Sequence, residues 1–167
     1  RGSRGKWEPK ADEPNQLPLD RPMDLSAFYR WNSGNLLENR TRGAFAEWLV
    51  HQALGIVSEF REEWAPVDAV IDDITMEIKS AAYEQSWEQA APSRIVFPIT
   101  QRVAQLYVFC LLSGREPADT NTWTFWVVPT SALPQQDSIS LEPLKALAGE
   151  SIGYEQLAAT VLGERFP

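Results

Sequence analysis

The chain has 167 residues, enough for one domain with short appendages and a sizeable apolar core. A formal net charge of −8 excludes a broadly basic surface that would grip nucleic acid by phosphate neutralisation alone. The single cysteine and single histidine exclude disulfide frameworks and multi-histidine metal sites, and no run approaches the roughly 18 apolar residues of a membrane span.

Residues 1–24, with Pro9, Pro14, Pro18 and Pro22, lack an apolar period and read as a flexible arm. Residues 25–167 read as a single domain that opens with an aromatic-rich segment, Leu25 to Trp31, docked on the body. Asn39 or Thr41 is the predicted cap of a helix that runs to Leu54 and stops at Gly55, with Phe45, Trp48, Leu49 and Leu54 along one face. Residues 62–71 and 74–81 are predicted to be two strands joined at Asp72-Asp73. Residues 82–93 are polar and irregular, and Ile95 to Phe97 is a short strand. Leu106 to Leu112 and Thr122 to Val128 are the strongest strand predictions, being rich in aromatic and β-branched residues. Two helices follow, at 141–148 and 154–162, within a C-terminal helical region that ends near 163. This order gives a mixed α/β (α+β) domain with a central sheet of four to five strands flanked by helices.

The chemistry concentrates in Pro66-Val67-Asp68 and Glu77-Ile78-Lys79. Along a strand Glu77 and Lys79 share a face. A hairpin in which 71 faces 74 also sets 68 opposite 77, where like charges destabilise a sheet. Lys79 is one compensating partner for the two carboxylates. A hard divalent cation is another, because Mg²⁺ takes one or two carboxylates plus carbonyl, water or phosphate oxygens, and the Ile78 carbonyl lies between them. On spacing alone, a solvated sheet face with Lys79 as an ordinary cross-strand neighbour fits equally well.

These residues resemble the Pro-Asp…(Asp/Glu)-x-Lys signature of the PD-(D/E)xK, or restriction-endonuclease-like, nuclease superfamily, with Val67 inserted between the proline and the aspartate. Glu47 on the preceding helix matches a glutamate common there, and the likeness spans residues 40–130. The resemblance implies a restriction-endonuclease-like core and hydrolysis of phosphodiester bonds, in DNA rather than RNA. It further implies Mg²⁺ or Mn²⁺ held by Asp68, Glu77 and the Ile78 carbonyl, with Glu47 completing the set or serving a second metal. Lys79 would assist the attacking water.

Gln85, Arg94, Gln101 and Arg102 are candidates for substrate contact, with Arg40 and Arg42 as a second choice. Ser80, Tyr83 and Trp87 could line a groove, and His51, one turn beyond Glu47, could approach the site; for each, a packing or surface role competes. Cys110, within an apolar run, reads as core, and a lone thiol suits a reducing cytoplasm. The acidic balance points to delivery of nucleic acid by a homodimer or by a larger complex with a recognition subunit. A catalytically inactive domain of this fold, kept as a nucleic-acid-binding or protein-assembly module, is the competing reading.

Overall fold

The computed structural model describes residues 23–163, so the expected arm lies almost wholly outside the described residues. Those residues fall into two units. The first ends at Asn32 and contains most of α1 (Leu25–Ser33), whose start is capped by Asp24 Oδ1 accepting from the amides of Ser26 and Ala27. The second begins at Ser33 and carries everything that follows.

The second unit is a mixed α+β domain. Its main sheet has the order β1 (Ala69–Ile71), β2 (Ile74–Ala82), β4 (Leu106–Leu112), β5 (Trp123–Pro129), and a separate antiparallel ribbon joins β3 (Val96–Pro98) to β6 (Ser138–Ser140). β1 and β2 are antiparallel, β2 and β4 parallel, β4 and β5 antiparallel. Every residue of β4 is buried, which is why its sequence is an unbroken apolar run rather than an alternation.

Two cores sandwich the sheet. On one face, α2 (Asn39–Leu54) and α4 (Leu157–Gly163) pack Ala46, Leu49, Val50, Leu157 and Val161 on Met76, Ile78, Val108 and Cys110. On the other, β3, β6 and α3 (Leu141–Ala148) place Phe97, Ile139 and Leu144 against Tyr107, Phe109 and Trp126. Cys110 is a core thiol whose pKa burial pushes up, so it has little nucleophilic character. No helix among the described residues is long and apolar enough to cross a membrane.

Three local expectations are corrected. The cap of α2 is Glu38, not Asn39 or Thr41: its two carboxylate oxygens accept from the amides of Arg40 (3.1 Å) and Thr41 (3.0 Å). The buried stripe of α2 runs through Arg42, Ala46, Leu49, Val50 and Leu54, because Ala46 and Val50 let the helix approach the sheet closely; Trp48, expected in the core, is 53% exposed. The strand expected over 62–71 is only Ala69–Ile71, and residues 56–68 form turns and bends after Gly55 ends the helix with a φ of 70°. The hairpin itself is as expected, with Ile71 paired to Ile74. Asp72 and Asp73 both take positive φ, the backbone of a two-residue type I′ turn that aspartate tolerates better than most residues.

Candidate functional site

The ladder that sets Ile71 opposite Ile74 reaches only Ala69 opposite Met76. The Asp68 amide then donates to the Met76 carbonyl (2.9 Å) instead of continuing the pairing to Glu77. This slip turns the Asp68 side chain onto the strand edge, where Oδ2 accepts from the Ile78 amide at 2.7 Å. Both backbone groups of a residue in a strand face the same neighbour, so the Ile78 carbonyl also points to the edge that β1 leaves uncovered. Asp68 and the Ile78 carbonyl therefore meet at one place, by a route different from the direct opposition predicted.

Glu77 is 5% exposed, and Lys79 Nζ contacts its Oε1 at 2.8 Å. Lys79 also donates to Gln101 Oε1 at 3.2 Å, and the Tyr107 hydroxyl donates to the Gln101 carbonyl. Gln101 thus acts on Lys79 rather than standing free for substrate. Burial pushes the Asp68 carboxyl up to about 7; Glu77 and Glu47 add to the rise, while the Ile78 amide and Lys79 oppose it. The site holds more negative charge than its cations neutralise.

Glu47 and His51 lie one turn apart on α2 and line a cavity of about 430 Å³ together with Trp48, Phe60, Arg61 and Asp68. Arg61 grips Glu47 through two bonds, Nε to Oε2 at 2.6 Å and Nη2 to Oε1 at 2.9 Å. The carboxylate expected to complete the metal set is committed to this arginine, which sequence reasoning missed because it lies in an irregular acidic loop. His51 Nε2 sits 2.8 Å from the Asp68 carbonyl and fixes the backbone at the slip rather than reaching the carboxylates.

The other candidates separate. Gln85 is buried, takes Arg42 Nη1 on Oε1 (3.2 Å) and donates to the Ala82 carbonyl (3.1 Å), so it supports Arg42 instead of facing Lys79. Arg94 is exposed and lines a second cavity beside Arg42 and Ser80. Arg102 closes on the carbonyls of Thr130, Leu133 and Pro134, which gives it a structural task in place of a phosphate contact. Arg102→Ala is expected to lower unfolding stability by about 1–3 kcal/mol, since three carbonyls lose a charged donor, and to leave nucleic-acid affinity unchanged; denaturant melts and a binding titration check both.

Among the described residues, no three His, Cys, Asp or Glu side chains gather closely enough to hold a metal ion by themselves. The donors that a cation would meet are oxygens only: Asp68, Glu77 and the Ile78 carbonyl. Such a set suits Mg²⁺ or Mn²⁺, which complete their shells with water and substrate phosphate. The surplus negative charge around Asp68 favours the same fit. Comparison with protein-family models, with curated proteins and with solved structures finds no match for this chain.

Proposed function

We propose that the chain is a divalent-metal-dependent phosphodiesterase of the restriction-endonuclease-like kind, an endonuclease acting on DNA. The observation that carries this reading is the convergence of Asp68, the Ile78 carbonyl and the Glu77–Lys79 pair at the open edge of one strand. Asp68, Glu77 and Ile78 would hold Mg²⁺ or Mn²⁺. The cation supplies Lewis acidity at the phosphate and lowers the pKa of water. Lys79, held by Glu77 and Gln101, presents its ammonium to the attacking water and to the charge that develops on the phosphate. Glu77 would hold the lysine in place. Substrate delivery by a homodimer or a recognition subunit agrees with the net charge of −8.

One observation favours the rival, a non-catalytic nucleic-acid-binding or assembly module: the bidentate Arg61–Glu47 pair removes one of the four expected acidic and basic groups from the site. Titration calorimetry with Mn²⁺ separates the two readings. Wild-type protein is expected to bind the ion and to cleave DNA with it, and Asp68→Ala to lose both. A wild type that binds no Mn²⁺, with or without an oligonucleotide present, establishes the module instead.

A further inference from the structure

A second cavity, of about 300 Å³, lies along the same strand edge beyond Ile78 and is lined by Asn39, Arg42, Ser80, Gln85 and Arg94 among others. Arg42 is 4% exposed, yet every acceptor it has is neutral: the Leu37 carbonyl (3.1 Å), Gln85 Oε1 (3.2 Å) and Asn39 Oδ1 (2.6 Å). Its Nε is buried without a partner among the described residues. The acid nearest in sequence, Glu38, is engaged with the amides that open α2. A buried guanidinium without a counter-ion is costly, because desolvation is not offset by charge pairing. Burial accordingly lowers the Arg42 pKa, and the Glu38 charge, which bonds the α2 amides and not the guanidinium, offsets this only in part.

The surroundings are suited to an anion. No Asp or Glu lines this cavity, in a chain with eight surplus negative charges. Arg94 brings a second guanidinium and makes no ion pair among the described residues. Ser80 follows Glu77 by three residues, about 10 Å further along the strand at about 3.3 Å per residue, with the two side chains on opposite faces of the sheet at its open edge. Guanidinium donors are well suited to phosphate, and two of them, Arg42 with its unpartnered Nε and Arg94, line this cavity.

We propose that the cavity of Arg42 and Arg94 is a phosphate subsite that holds a second phosphate of the nucleic-acid strand whose scissile phosphate lies at Asp68 and Glu77. Its polynucleotide assignment rests on the proposed function. The anion itself does not: inorganic phosphate is the first probe. Titrated into the whole chain at constant ionic strength, it is expected to shift the Arg42 Nε–Hε resonance and the Ser80 and Gln85 amides saturably, with chloride producing no such shift. Arg94→Gln, at an exposed position, is expected to weaken this binding about ten- to hundredfold, the loss of one charged hydrogen-bonding group at 1.4 kcal/mol per decade. Phosphate without a saturable shift, or with equal affinity in Arg94→Gln, overturns the subsite.

Displacement by oligonucleotides then identifies the source. Equal displacement by 5′-phosphorylated and 5′-hydroxyl strands assigns an internal diester, and displacement by the phosphorylated strand alone assigns a terminal monoester. Displacement by neither removes nucleic acid as the ligand and overturns the proposal. Mn²⁺ calorimetry on the same samples keeps the two readings apart. Metal binding without phosphate binding spares the proposed function and discards the subsite; phosphate binding without metal binding does the reverse for the anion site.

Discussion

Lys79→Ala is expected to lower metal-dependent DNA cleavage by at least about 10²–10³-fold, the usual cost of losing one preorganised group that meets transition-state charge. The structure adds a second consequence. Lys79 is the only cation paired with Glu77 among the described residues, and Glu77 is 5% exposed. Removing one partner of a buried pair costs about 3–5 kcal/mol, because the remaining charge stays buried without compensation. The variant should therefore melt well below wild type without metal and recover much of the difference in Mn²⁺, as the ion takes over the neutralising task. Cleavage should not recover, since a spectator-like neutralisation of Glu77 does not restore an ammonium beside the water. Cleavage at the wild-type rate would remove Lys79 from the chemistry, and a melting difference indifferent to Mn²⁺ would remove Glu77 from the metal site.

Asp68→Asn should stabilise the metal-free protein while abolishing metal binding. The folded-state pKa of about 7 lies above the ordinary 3.8. Between those values the folded chain keeps a proton that the unfolded chain has released. Stability therefore falls as pH rises from about 4 to about 7 and levels off above that range. Asparagine keeps an oxygen for the Ile78 amide and has no charge to desolvate, so its advantage is absent near pH 4 and full by pH 8. Discounted for the solvent that still reaches the carboxylate, the gain is about 2–3 kcal/mol. Thermal melts of both proteins across pH 4–8 test this; parallel curves would show that burial does not strain Asp68. Added Mn²⁺ should raise the wild-type melting temperature at pH 8 and leave the variant unmoved.

Much of the secondary structure was legible because long elements carry their period. The buried run of β4, the alternation of β5, and the Gly55 stop of α2 each state their role in the residues themselves. Three-residue strands do not, and so β6, Ser-Ile-Ser, carries no signal of its own while residues 62–68 read as strand without forming one. Of the site, the pairing of Glu77 with Lys79 follows from strand alternation alone. The position of Asp68 needed a slip that no residue pattern announces. The fates of the arginines depend on tertiary placement: Arg42 is buried, Arg61 clamps Glu47, Arg94 is open and Arg102 holds a loop, though all four look alike in the chain.

The two borders of the main sheet are finished differently. β5 exchanges two backbone bonds with Ile152, which closes its flank at Phe125. β2 is covered by β1 for three residues only, and beyond them side chains sit where a neighbouring strand would: Asp68 on the Ile78 amide, Gln85 on the Ala82 carbonyl. Bare strand borders invite pairing with other chains and aggregation. The residues that keep this border from zipping onto a second molecule thus include Asp68, at the candidate site, so the proposed chemistry and colloidal behaviour share a residue. Variants made to probe the first will also report on the second.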